Sequence, residues 1–487
     1  MKKKTIISIS TLLIIGMAAI SCGKSLDNSE ETLPQKKVNA NIPANFASSK
    51  VVADGGTATF STSEKVYVYN NTTSTLDTDY LSPDADGATA NLKGSLSGTY
   101  SAGNSLKLLY NTTSDGIADY TNQDGTLENV VDAATATVKI ASVDGDSFTT
   151  RTAYFENLQS IFKFTFKDED NNIINVKSLT ILSENNKIQS TYNLIEEAVT
   201  YGGINVTCNT AQSTVYVALR FTSNPSEMIL FSVMDENGKV YTGSKTSPTS
   251  GFKIGRFYTS TVSVKAHTFT VAGNNKVYKV YFALSNLCVD GGIYKFQSYP
   301  WIVSDVGDND FFSRDIINNT MSSSENSITV NGIDGWFVPS VKEWKSLNDG
   351  FYTSSSSSET YTRKYIDNKN YTIYSYKIVT DEKSNNIFGL MYLPDDFTYN
   401  EDRAELELEE NYNSSTSRYK KNVNIFKYLA KGCVFFPEYT RSGGFSPQYG
   451  GSFSNLVFSS ATGANPTPNS ANSGGSLSPV PVRLIHE

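Results

Sequence analysis

Short alternating runs of apolar and polar residues, separated by Gly, Asn and Asp turns, constrain the fold of this chain more than any other feature. Residues 162–167 place three phenylalanines on one side and polar side chains on the other. Because successive side chains of a strand point to opposite faces, this run predicts a strand with an aromatic core face and a solvated back. Residues 215–219 repeat the pattern, and Asn237-Gly238 predicts a hairpin between two such runs. Residues 38–265 are therefore predicted to be mainly β, without a long amphipathic helix.

The N-terminus predicts export. Three lysines at positions 2–4 precede an apolar run at 5–20, which is short for a membrane span, and Cys22 follows small residues. This layout is typical of a bacterial lipoprotein signal, although Ala19 stands where such signals usually carry leucine. We expect a signal peptide at 1–21, a Cys22 that carries acyl chains such as palmitate, and a flexible tether at 22–37. The alternative is an ordinary signal peptide with an unrelated cysteine nearby.

Length and charge narrow the classes of protein. The chain has 487 residues, which predicts about three domains. Without the three signal lysines, 38 basic residues face 49 acidic ones, a net charge of -11. No basic cluster follows the signal, which argues against nucleic acid as a partner. Beyond Cys22, three cysteines remain at 208, 288 and 433. They are too few for a disulfide scaffold, and three buried thiols are expected, one pair plus an odd thiol being the alternative.

Short motifs in a fixed order carry a first resemblance. They are Glu64 to Tyr69, Gly94-Ser95-Leu96, Leu108-Leu109-Tyr110, Gln123 to Leu127, Phe155 to Phe166 and Gly255-Arg256-Phe257-Tyr258. With the lipid cysteine and spacer before them, they resemble the fimbrillin-like pilins and surface lipoproteins of Bacteroidetes. The resemblance implies two tandem transthyretin-like β-sandwiches, at 38–154 and 155–266.

The same resemblance implies a processing step. In that family a trypsin-like protease removes a first strand, and a strand from a neighbouring subunit fills the gap. The strand removed here would be 38–46, and Lys50 would be the cleavage site. The alternative is that Lys50 is a surface lysine in a loop, and members that anchor or cap a fibre need not be cut.

The sequence changes character after residue 267. Ser340 and Glu343 have the capping-box spacing, which predicts a short helix with Val341, Trp344 and Leu347 on one face. A second short helix is predicted at 423–431. It would end at a glycine, with an apolar strand at 433–436 after it.

A second resemblance covers residues 267–487. Its carriers are Trp336 to Leu347, Gly389 to Pro394, Gly432 to Pro437 with Arg441, Ser459-Ser460, and Val482-Arg483-Leu484. Together they resemble the C-type-lectin-like fold, in the branch of formylglycine-generating enzymes and Fibrobacter-type paralogous domains. The resemblance implies an α+β C-type-lectin-like binding domain. Val457-Phe458 departs from the Tyr-Trp of relatives, so the ligand surface is expected to differ from theirs.

In that fold the loops before the last strand form the binding face. The side chains there suit sugar stacking or a protein epitope. The predicted ligand-binding residues are Tyr439, Arg441, Phe445, Gln448, Tyr449, Phe453 and Asn455. The alternative is a glycine-rich loop with its aromatic side chains tucked beneath it.

Catalytic chemistry has little support. His267 and His486 are the only histidines, which disfavours a His-based triad or metal cluster. Cys288 and Cys433 do not match the reactive pair of formylglycine-generating relatives. Asp84 and its neighbours resemble the start of a calcium loop, but no closing glutamate follows at the right distance, and turn chemistry explains them better. We therefore predict no enzyme, no cofactor and no metal site.

These expectations combine into one functional hypothesis. The sequence predicts a surface-exposed, lipid-anchored adhesin of the cell outer membrane, a tip or minor fimbrial subunit in a fimbrium. Its partners would be other fimbrial subunits and a glycan or protein ligand on a host or neighbouring cell. The alternative is a stand-alone glycan-binding lipoprotein of the outer membrane that serves nutrient uptake.

Overall fold

The structure of the protein is a computed structural model. It covers residues 37–46, 59–222, 224–272, 277–297, 299–300, 320, 323–339, 343, 371–380, 383–397, 424–437, 448–451, 454–457 and 483–487. For 272, 371–380, 383–390, 437, 448–451 and 454–457 only the backbone is described. Apart from Glu343, which is helical, the predicted helix that begins after Pro339 lies outside these residues.

The described chain is mainly β. Its strands are β1 (Val38–Phe46), β2 (Val66–Asn70), β3 (Thr75–Pro83), β4 (Thr89–Leu96), β5 (Ser105–Tyr110), β6 (Ile117–Asp119), β7 (Asn122–Gln123), β8 (Ala134–Asp144), β9 (Ser147–Thr150), β10 (Ala153–Asn157), β11 (Ser160–Lys167), β12 (Val176–Ser183), β13 (Ile188–Asn193), β14 (Ala198–Tyr201), β15 (Ile204–Gln212), β16 (Val215–Phe221), β17 (Met228–Asp235), β18 (Val240–Thr246), β19 (Phe257–Ser263), β20 (Lys265–Ala266), β21 (Phe269–Ala272), β22 (Val277–Phe282), β23 (Leu287–Asp290), β24 (Ile293–Phe296), β25 (Ile328–Val330), β26 (Ile333–Trp336), β27 (Tyr371–Thr380), β28 (Lys383–Tyr392), β29 (Val434–Pro437), β30 (Gln448–Gly451), β31 (Ser454–Val457) and β32 (Ile485–His486). One short helix, α1 (Ile425–Leu429), is described among them.

The N-terminal strands form one closed sheet. Its order is β1-β4-β3-β2-β5-β8-β9, and β9 pairs back onto β1. β10 continues the line of β9 and pairs with both β8 and β1. The two sheets of the predicted first sandwich are therefore joined into a barrel. We call this unit the N-terminal barrel.

Two facing sheets follow, which we call the second sandwich. One has the order β14-β13-β16-β11-β19, and the other β20-β18-β17-β12-β15-β7. The phenylalanines of β11 lie in the core between them, as their alternation predicts, and Phe164 meets Phe231 with ring centroids 5.2 Å apart. The predicted hairpin at Asn237-Gly238 is confirmed as the β17–β18 turn. β6 and β7, which precede residue 154, pair with β13 and β15 and so belong to this unit.

The C-terminal residues pack on the back of the second sandwich. β12 and β17 are buried on both faces, because one face closes the sandwich and the other meets residues after 282. Leu182 and Leu230 share a core with Met391 and Phe426. The amide of Asn331 donates to the Ser178 hydroxyl at 3.2 Å. We call the described residues from 269 onward the C-terminal body, and it rests on this sheet without an intervening linker.

The helix predicted at 423–431 is present in shorter form as α1. Asn424 caps it through its side-chain oxygen, which accepts from the Lys427 N–H at 3.4 Å. Gly432 follows with φ of +80°, a conformation that favours glycine and ends the helix. Strand β29 comes next, so the predicted order of helix, glycine and strand is confirmed.

Candidate functional site

The predicted site residues fall in two groups. Cys22, Lys50, Tyr439, Arg441, Phe445 and Phe453 lie outside the described residues. Gln448, Tyr449 and Asn455 lie on the two strands of the β30–β31 hairpin, where Tyr449 pairs with Leu456 and Gly450 with Asn455. The backbone brings these three positions together on one hairpin.

Strand β1 is the most distinctive candidate for function among the described elements. It pairs antiparallel with β4 along residues 38–45, and it pairs in parallel with β9 at 39–41 and with β10 at 44–46. Pro43, which has no N–H, falls in the gap between the two parallel segments. β1 closes the barrel because it lies between β4 and the β9–β10 line. All of its partners come later in the chain.

The side chains of β1 alternate between core and surface. Ala40, Ile42 and Ala44 are buried, and Asn39 and Asn41 are exposed. The buried three join the barrel core beside Leu92 and Phe148. The apolar surface that they cover is the surface that the barrel would expose without β1. We call this groove, between β4 and the β9–β10 line, the β1 seat.

An aromatic cluster closes one end of the β1 seat. The Phe46 ring lies 4.2 Å from Phe60, 5.3 Å from Tyr110 and 5.8 Å from Phe155, measured between ring centroids. Phe60 is held by two backbone hydrogen bonds to Gly87, at 2.7 and 3.0 Å. Phe60, Tyr110 and Phe155 are almost completely buried. Sequence reasoning missed the cluster, because its members come from four separate segments.

Polar contacts fix the other end of β1. The Asn39 N–H donates to the carbonyl oxygen of Asp146 at 2.7 Å, and the Ser95 hydroxyl donates to Asn39 Oδ1 at 2.6 Å. Lys37 Nζ lies 3.1 Å from Asp79 Oδ2. The Ser97 hydroxyl, and then Lys37, hold the pKa of Asp79 below its usual range. This ion pair is solvent-exposed, so its contribution to holding β1 is small.

The two histidines serve structural contacts. His267 Nδ1 lies 3.1 Å from Asp396 Oδ1, and Lys265 Nζ lies 3.1 Å from Asp396 Oδ2. The His486 ring lies edge-on to Trp336 at 5.3 Å. His267 thus joins the segment before the C-terminal body to Asp396 within it, whereas the contact of His486 with Trp336 lies inside the body.

Other candidate groups also have structural partners. Asp84 accepts hydrogen bonds from the Asn91 N–H at 2.8 Å and the Asn91 amide at 3.1 Å, and Lys93 lies 2.9 Å away. Cys208, Cys288 and Cys433 are buried thiols, which confirms the expectation of three buried thiols. Within the described residues no group of three or more His, Cys, Asp or Glu side chains could hold a metal ion. Nor does any described helix have the length and apolar character to cross a membrane.

Comparison with known proteins gives remote structural likenesses. No protein-family profile and no curated protein matches the chain. A candidate cell adhesion protein from Bacteroides fragilis is similar with 11% identity and a TM-score of 0.29, over 50% of this chain and 96% of that chain. One from Bacteroides uniformis has 13% identity and a TM-score of 0.29, over 50% and 98%. A fimbrial assembly protein from Parabacteroides distasonis has 10% identity and a TM-score of 0.27, over 50% and 94%. Likenesses at this level decide neither the fold nor the function of this chain.

Proposed function

We propose that the protein is a surface-exposed, lipid-anchored adhesin that enters a fimbrium by strand exchange. The observation that carries the proposal is β1. One strand at the start of the described chain closes the barrel, pairs on both sides, and covers an apolar groove whose walls are all built by later residues. A groove of this kind accepts an added strand through main-chain hydrogen bonds.

The connection after β1 supports replacement of this strand. Residues 47–58 join β1 to the rest of the barrel, and Lys50 lies within them. A cut there separates β1 from the barrel without breaking any other described strand. The fragment would then be held by noncovalent contacts alone, and a strand from another subunit could compete for the β1 seat.

Residues 483–485 pack inside the C-terminal body. Arg483, Leu484 and Ile485 are fully buried, and Ile485 pairs with Phe282 in strand β22. These three residues are thus part of the C-terminal body and are not available as a donor strand. We assign the ligand-binding role to the region of the β30–β31 hairpin, and we propose binding rather than catalysis as the activity of the protein.

The proposal is tested by the N-terminus and intact mass of protein recovered from sheared surface material and from outer membrane. Strand exchange predicts a start at Val51, without lipid, in the sheared material. A Lys50→Gln variant, the matched control, should keep a lipidated Cys22 start and stay in the membrane fraction. If the unaltered protein is found only in the membrane with a lipidated Cys22, the fimbrial proposal fails, and the stand-alone glycan-binding lipoprotein takes its place.

A further inference from the structure

We infer that the aromatic cluster at the end of the β1 seat selects the strand that enters it. The matching partner is an extended segment with an aromatic residue at the position of Phe46. It has small residues at the positions of Ala40 and Ala44, and an aliphatic residue at that of Ile42. This inference rests on the proposed strand exchange and names the partner that the seat accepts.

Main-chain pairing cannot make the selection. The backbone bonds of β1 to β4, β9 and β10 are of a kind that any extended segment without misplaced prolines can form. Discrimination therefore depends on side chains that enter the seat, at every second position.

The middle of the seat selects by size. Ala40 lies opposite Gly94 and Ala44 opposite Ala90 on strand β4. The alanines are at most 5% exposed, so larger side chains at their positions would overpack the core. The positions of Ala40 and Ala44 exclude strands with bulky side chains there, but they add little to the affinity for the strand that enters.

The Phe46 position supplies affinity as well as fit. Its ring contacts three aromatic rings, and Phe60 and Phe155 are at most 1% exposed. Phe46 lies one residue beyond the last that pairs with β4, and its backbone pairs with Phe155 of β10. A large apolar anchor in a buried aromatic pocket is the usual form of a binding hot spot.

The test uses the full chain with a specific protease site inserted after Lys50. Cleavage of the folded protein leaves the β1 fragment seated without a covalent link. Retention of the fragment is then followed over time by native mass spectrometry. The Phe46→Ala variant should lose the fragment at least about tenfold faster than the unaltered sequence. The Asn41→Ala variant, at an exposed position of the same strand, should lose it at the unaltered rate.

A second measurement separates the inference from the proposed function. Labelled peptides with the sequence of residues 38–46, with phenylalanine or alanine at the last position, are offered in excess to the cleaved protein. If the phenylalanine peptide enters and the alanine peptide does not, the aromatic cluster selects the strand. Equal entry of both peptides would show that the aromatic residue at position 46 does not select the strand, while strand exchange itself would stand. If neither peptide enters as the fragment leaves, strand exchange itself fails, and the inference falls with it.

Discussion

Arg483 Nε donates to Asn286 Oδ1 at 2.9 Å, a contact between residues 197 positions apart in the sequence. The same guanidinium donates to the carbonyl oxygens of Ala283 and Leu284, and to those of Pro300 at 3.1 Å and Phe435 at 3.0 Å. The side chain is completely buried. One cation therefore joins four segments of the C-terminal body, and its planar fork is what allows so many carbonyls to be reached.

Replacing the guanidinium of Arg483 should destabilise the C-terminal body. An Arg483→Lys variant keeps the charge but cannot reach the same acceptors, so several buried carbonyls would lose their donor. We expect a loss of about 3 kcal/mol in the free energy of unfolding. Denaturant unfolding of the full chain measures it. Arg256→Lys, at an exposed position, should change it by less than about 0.5 kcal/mol, and equal effects of the two variants would contradict the prediction.

Gly432 should tolerate a side chain less well than another glycine of similar conformation. Gly432 has φ of +80°, and an added Cβ would lie 2.0 Å from Cγ of His267. Gly103 has φ of +87° and open space around its Cβ position. We expect Gly103→Ala to cost about 1 kcal/mol from backbone strain alone. Gly432→Ala should cost about 3 kcal/mol or more, because a clash is added to the strain.

The clash component can be isolated by a double variant. If the His267 ring causes the extra cost, that cost should shrink when Gly432→Ala is combined with His267→Ala. Thermal unfolding of the four proteins in this cycle gives the coupling. Purely additive effects would show that the ring is not the obstacle.

The three buried thiols should be unreactive in the native protein. Burial raises the pKa of Cys208 to about 11, so almost no thiolate forms at neutral pH. Cys288 and Cys433 are also buried. Iodoacetamide should label none of them in the folded state and all three in denaturant without reductant, as read by peptide mapping. A disulfide-linked peptide pair, or rapid native labelling, would contradict the structure.

Asp396 should make stability fall in acid. Burial raises its pKa, but hydrogen bonds and charges from His267 and Lys265 outweigh burial and hold that pKa below its ordinary value. A carboxyl whose folded pKa is depressed stabilises the fold above its unfolded pKa of about 4. This stabilisation is lost as the pH falls through the folded pKa.

Removing the charge of Asp396 should make the loss of stability in acid smaller. Asp396→Asn should lower the free energy of unfolding at pH 7 by about 1 kcal/mol, a modest value because the side chain is one-third exposed and screened. The variant should also lose less stability below pH 4. Asp170→Asn, in an exposed turn, is the matched control, the same change of carboxylate to amide away from His267 and Lys265. Parallel acid profiles for Asp396→Asn and the unaltered protein would contradict the assignment.

The sequence by itself determined which segments are strands and which of their faces is apolar. The phenylalanines of β11 and the turn at Asn237-Gly238 are local signals, because a period of two and a residue that tolerates positive φ act within a few residues. For the same reason the order of α1, Gly432 and β29 could be predicted, although α1 is shorter than expected.

Only the tertiary structure decided which strands pair and what covers them. Periodicity reports one buried face, so it could not reveal that β12 and β17 are buried on both. Nor could it place β6 and β7 in the second sandwich, or show β1 between β4 and the β9–β10 line. The cluster of Phe46, Phe60, Tyr110 and Phe155 has no local signature. Its members meet because long-range packing minimises exposed apolar surface, and that outcome depends on the whole folded chain.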